Sequence, residues 1–170
     1  GITPEANTLE EAFMGHEVQE EFTLTQQDIC SAYEPLCETE GGSVDLVSLG
    51  CPHYDIHQIK EAADYICGKK IHDGVRFMIW TVYPIKAMAD LNGYTKMIED
   101  AGGTIQTSTC PVTIGDCFLK RYKGQVYDSL KQSGSVRSEG CAERVYYTDK
   151  YRCIDAAVSG VWKEEYRWKK

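Results

Sequence analysis

Apolar residues in this chain fall into two kinds of stretch. Short unbroken runs, Val44 to Leu49, Arg76 to Thr81 and Thr104 to Thr107, have the length and β-branched or aromatic content of buried strands. Between them, apolar positions recur at helical spacing. Ile56, Ile59, Ala63 and Ile66 follow Asp55, a residue suited to cap a helix. Pro84 fits the first turn of a helix through about Leu91, and Tyr94 to Ala101 form another that Gly102-Gly103 stops. Strand, helix, strand, helix, strand in this order predicts an α/β fold of three layers around a mainly parallel sheet.

The flanks are less regular. Thr8 and Glu11 fit a capping box for a short helix, and Glu20 to Leu24 read as a short strand. Thr25 caps a helix through about Leu36, which Pro35 ends or bends. A polar linker, Glu38 to Ser43, then separates two parts: residues 1–43, with short helices packing on the core, and residues 44–170, an α/β domain. Beyond Cys110, Gly124 to Tyr127 and Arg144 to Tyr147 read as strands. Gln132 to Gly140, rich in Ser and Gly, reads as a loop. Asp149 opens a last helix carrying Cys153, Ile154, Ala157 and Val158, and Gly160 closes it.

Composition narrows the function. At 42% hydrophobic residues over 170 positions, the chain can bury a core. No apolar run reaches transmembrane length, so no membrane partner is expected. A net charge of −8 argues against nucleic acid, and the basic tail at Arg167, Lys169 and Lys170 is too short to change that. Gly1 to Gly15 is polar and acidic, unlike a signal peptide, and the start at Gly1 reads as a piece of a longer chain. Eight cysteines without a C-x-x-C pair, spread over apparent helices and loops, point to metal or catalysis in a cytoplasmic protein more than to a disulfide framework.

Two thiols stand out. Cys51, in Gly50-Cys51-Pro52-His53, and Cys110, in Thr109-Cys110-Pro111, each follow a strand and precede a proline. The carboxyl ends of strands are where ligands bind in open α/β sheets. Neighbouring strands lie about 4.8 Å apart, so two such loops can share one small metal site. The same residues also fit a small packing thiol and a loop histidine. Cys30, Cys37 and Cys67 lie in or beside helices and read as packing residues.

These stretches resemble the carboxyl-terminal part of the large subunit, or large region, of aconitase X enzymes. The resemblance runs from Gly1-Ile2-Thr3-Pro4-Glu5-Ala6 through Val44 to His53, Ile79-Trp80-Thr81, Ala101-Gly102-Gly103 and Thr109-Cys110, to Ala156-Ala157-Val158-Ser159-Gly160. Two stretches depart from the family pattern: Val82-Tyr83-Pro84 and Tyr127-Asp128-Ser129-Leu130-Lys131. The resemblance implies an aconitase-like fold and an iron-sulfur hydro-lyase acting on a small hydroxy acid, such as cis-3-hydroxyproline or a mevalonate phosphate. It implies Cys51 and Cys110 as cluster ligands, with a third thiol either among Cys117, Cys141 and Cys153 or in the missing amino-terminal region. Of these three, Cys153 on the last helix is the expected ligand. His53 and Thr81 are implied to line the substrate site, and Ser129 and Lys131 to serve catalysis. The implied partners are the remaining large region and a small subunit or domain. The alternative is a non-catalytic metal-binding or docking fragment of a larger enzyme.

Overall fold

The computed structural model describes residues 6–33 and 40–167, except for the side chain of Cys30. The chain divides into two compact units, Gly1–Ser31 and Ala32–Lys170. In the first, helix α1 (Leu9–Phe13) opens on Thr8, whose hydroxyl accepts the Glu11 N–H at 3.1 Å. Glu11 reaches back to the Asn7 N–H rather than to Thr8, so the box is one residue wider than expected. Glu20 to Leu24 form no strand: they are exposed and pair with no backbone among the described residues. Helix α2 (Gln26–Tyr33) starts from a reciprocal pair, Asp28 N–H to the Thr25 hydroxyl and Thr25 N–H to the Asp28 carboxylate. The rest of the expected helix to Leu36, together with Cys37, lies outside the described residues.

The second unit is an α/β domain. Its central sheet contains β2 (Leu46–Tyr54), β3 (Arg76–Thr81), β4 (Thr104–Thr107), β5 (Gly124–Tyr127) and β6 (Arg144–Tyr147), while β1 (Gly42–Ser43) pairs elsewhere with β7 (Val161–Trp162). The five strands are parallel in the order β4-β3-β2-β5-β6. The chain winds outward from β2 to β4 and then returns to β5 on the other side of β2. The carboxyl ends of β2 and β5 therefore flank the point where the winding reverses.

Period-two alternation splits the strand residues between two cores. Val47, Leu49, Phe77, Ile79, Ile105 and Val126 face helices α3 (Ile56–Ile66), α4 (Tyr83–Leu91), α5 (Tyr94–Asp100) and α9 (Lys150–Ser159). Leu46, Met78, Trp80, Tyr127 and Val145 face the opposite layer, which holds α6 (Pro111–Ile114), α7 (Asp116–Leu119) and α8 (Leu130–Ser138). These are the three layers expected. The stretch expected to be a loop, Gln132 to Gly140, is instead most of α8. The Ser129 hydroxyl caps it by accepting the Gln132 N–H, and Val136 anchors it in the core. Tertiary packing here overrides a weak local preference.

Candidate metal and substrate site

β2 runs on through Cys51, Pro52 and His53, which expectation placed in a loop. The β2–β3 pairing slips between Leu49–Ile79 and Tyr54–Thr81, so Gly50 to His53 bulge from the sheet. Leu46 to Gly50 are buried, Cys51 is half-buried, and Pro52 and His53 are exposed. Gly50 is obligatory: its φ is +101°, and a Cβ there would lie 2.4 Å from the Trp80 carbonyl oxygen. Thr81, fully buried, donates its hydroxyl to the Tyr54 carbonyl at 2.6 Å and closes the bulge. Within this chain Thr81 acts as a clasp beneath the bulge and is closed to solvent.

A buried pair sits under the same bulge. Asp128, directly after β5, accepts the Gly50 N–H at 3.2 Å through Oδ1 and the Tyr54 hydroxyl through Oδ2. Burial holds the Asp128 carboxyl above its ordinary range, while these two bonds pull it back. Burial also raises the Tyr54 phenol, reinforced by the Asp128 charge. Neither residue carries a sequence signal for this pairing: only tertiary burial distinguishes Asp128 and Tyr54 from surface residues.

Cys110 comes from another segment. Strand β3 lies between β2 and β4, so adjacency of strands does not bring the two thiols together. The connection after β4 does so. There Cys110 opens α6, its sulfur facing the Thr113 N–H at 3.4 Å and the Thr113 hydroxyl at 3.0 Å. His53 ties the two segments by donating Nε2–H to the Thr109 carbonyl at 3.0 Å, which places a proton on that nitrogen. The result is a pocket of about 150 Å³ lined by Cys51, Cys110, Val112, Thr113, Lys131, Gln132 and Ser135. Lys131 thus lies with the thiols. Ser129 sits one residue before α8, 6% exposed, and does not line the pocket.

Cys153 departs from its expected role. It lies in α9, wholly buried in the core on the opposite face of the sheet from α8, and its thiol faces the Thr148 carbonyl at 3.7 Å. Burial first, and the Asp128 charge second, raise its pKa well above the usual thiol value, which opposes the thiolate form that a metal binds. Of the other candidates, Cys117 is exposed on α7. Cys141 lies beside Asp116 and Glu139, its thiol donating to Asp116 at 3.4 Å, and lines a separate hollow away from Cys51 and Cys110. Cys67, expected to pack, is exposed at the end of α3.

A thiol pair at one pocket suits iron, which prefers sulfur donors. The donor set fits two ligands of an iron-sulfur centre, since no third cysteine lines the pocket among the described residues. Gln132, which also lines it, carries no sequence signal, because its segment reads as a loop from sequence.

Fold and site define a doubly wound α/β domain presenting a thiol pair near its topological switch point. The chain belongs to the aconitase X family: the family profile described as the aconitase X third domain matches residues 44–159. It is 29% identical over 161 residues to a cis-3-hydroxy-L-proline dehydratase of Hypocrea jecorina, covering 94% of this chain and 27% of that protein. It is 38% identical over 104 residues to the phosphomevalonate dehydratase large subunit of Methanocaldococcus jannaschii, covering 60% of this chain and 25% of that subunit. The crystal structure of Thermococcus kodakaraensis aconitase X in its holo form superposes with a TM-score of 0.65 at 25% identity, over 82% of this chain and 36% of that one. The chain thus spans only about a quarter to a third of its relatives' length.

Proposed function

We propose that this domain is part of a hydro-lyase that removes water from a small hydroxy acid, with cis-3-hydroxyproline and phosphomevalonate as the substrates to test first. The observation that carries this reading is the shared pocket of Cys51, Cys110 and Lys131. Cys51 and Cys110 would hold an iron-sulfur centre, with a further ligand from outside the described residues. When bound, such a centre supplies a Lewis acid for a departing hydroxyl or a carboxylate. Lys131 supplies positive charge to hold the substrate carboxylate or phosphate. Ser129, at the amino end of the nine-residue helix α8, is the candidate base, since the helix dipole favours negative charge on its oxygen. His53 fixes the two thiol segments relative to each other and borders the substrate side. Thr81 serves that side from below, through its bond to Tyr54.

The remaining large region and a small subunit or domain would complete the enzyme. Exposed Val82, Tyr83, Met88 and Leu91, on and beside α4, offer an apolar surface to the large region. The six cysteines with described side chains are all free, which fits the reducing cytoplasm. No described helix is long and apolar enough to cross a membrane.

The test is anaerobic reconstitution of the full-length enzyme with iron and sulfide. Cys51→Ser and Cys110→Ser should each abolish the visible absorbance and turnover. Cys67→Ser should alter neither, and Cys153→Ala should lower stability while leaving the absorbance intact. Ser129→Ala should keep the absorbance and lose about 10²–10⁴ in kcat, the range of a lost general base. Absorbance surviving in both Cys51→Ser and Cys110→Ser would sink the reading. Zinc binding without iron-dependent turnover would instead support a metal-binding module.

A further inference from the structure

Gln132 is 1% exposed, and neither its Nε2 nor its Oε1 has a hydrogen-bond partner among the described residues. Buried carboxamides are normally paired, because leaving one unpaired incurs its full desolvation cost. This domain meets that requirement elsewhere. Gln125, equally buried on β5, donates Nε2–H to the Leu119 and Tyr122 carbonyls at 2.8 Å each, and its Oε1 accepts the Tyr127 hydroxyl. Gln132 is different in lining the pocket that holds Cys51, Cys110 and Lys131. Its backbone N–H is already engaged by the Ser129 cap, which fixes where the side chain leaves the helix.

A carboxamide offers a donor and an acceptor side by side. A hydroxy acid offers the complement, a carboxylate that accepts and a hydroxyl that donates. We propose that Gln132 is the polar anchor of this pocket, donating Nε2–H to the carboxylate of a small hydroxy acid and accepting the substrate hydroxyl at Oε1. Lys131, the preceding residue, adds charge on the carboxylate side. This anchor rests on the dehydratase reading above and assigns the substrate contact within it. The unpaired state of Gln132 before binding then has a functional sense: the domain gives up stability that the substrate restores.

The test compares Gln132→Leu and Gln132→Glu with the unaltered full-length enzyme, using cis-3-hydroxyproline and phosphomevalonate as probes. Gln132→Leu removes both polar atoms, while Gln132→Glu keeps size and acceptor but repels a carboxylate. Gln132→Leu should raise KM about tenfold, the effect of one lost hydrogen bond at the upper end of the usual range, with little change in kcat. Gln132→Glu should raise KM further. Visible absorbance should be retained in both, and the melting temperature of Gln132→Leu should equal or exceed that of the unaltered enzyme. A purely structural glutamine, or one satisfied by buried water, predicts unchanged KM, and that result overturns the anchor. Lost absorbance in Gln132→Leu also overturns it, by moving the residue to the metal centre. If the unaltered enzyme turns over neither probe, the dehydratase reading fails and the anchor falls with it. Turnover with an unmoved KM removes the anchor alone.

Discussion

Asp128 carries two bonds at once, one to the Gly50 amide just before Cys51 and one to Tyr54 just after the bulge. A single carboxyl therefore holds both ends of the thiol-bearing excursion. Its folded pKa is raised, chiefly by burial. The neutral form is thus favoured in the fold, and this contribution to stability is complete below the unfolded value of about 3.9. It is lost as pH rises through the folded value. The melting temperature should accordingly decline over that window in the unaltered protein, and Asp128→Asn should flatten that part of the profile. A profile identical in the two proteins would mean that Asp128 titrates as in the unfolded chain.

Among the elements, α8 shows how little local signal a helix needs when the sheet holds it. Its sequence, Leu-Lys-Gln-Ser-Gly-Ser-Val-Arg-Ser, has poor helix formers and no broad apolar face, so it reads as a loop. Ser129 caps it, and buried Gln132, Ser133 and Val136 hold it to the sheet. Gly134 lies within the helix, with nothing within 4 Å of where a Cβ would sit. Gly134→Ala should therefore stabilise the protein by about 0.5–1 kcal/mol, measured by urea unfolding. Destabilisation would contradict the helical assignment. The contrast with α3 is instructive. There Asp55 and Gln58 cap each other, and apolar residues at helical spacing made the element legible from sequence.

For the whole molecule, the two cores on either side of the sheet are built, among the described residues, from apolar side chains packed on one another. The α/β domain should therefore fold without metal, giving a cooperative melt by circular dichroism in chelator. Loss of structure on chelation would make the site structural instead. The apolar surface at Tyr83 and Leu91, 71% and 89% exposed, should make the isolated chain self-associate and bind apolar dye. Replacing both by Glu should suppress this in light scattering. Strictly monomeric behaviour of the unaltered chain would remove the argument for a partner there.

The sequence by itself determined four of the five strands of the central sheet to the residue, and the position of the fifth, β2, in the order of the chain. Arg76 to Thr81, Thr104 to Thr107, Gly124 to Tyr127 and Arg144 to Tyr147 match the observed bounds, because buried strands must be short, apolar and closed by turn residues. The chemistry at residues 50–51 was also legible, since a glycine and a thiol after a short apolar run form a local pattern, although the strand bulges there and does not end. Tertiary structure decided what depends on distant contacts. It placed β3 between the strands carrying the two thiols, and brought Cys110 to Cys51 through the turn after β4 and the His53–Thr109 bond. It took Cys153 into the core and put Gln132 beside the thiols. A residue's helical phase is set by its neighbours in sequence, but its burial and its partners are set by segments 50 to 100 residues away, as with Gly50 and Asp128, 78 apart.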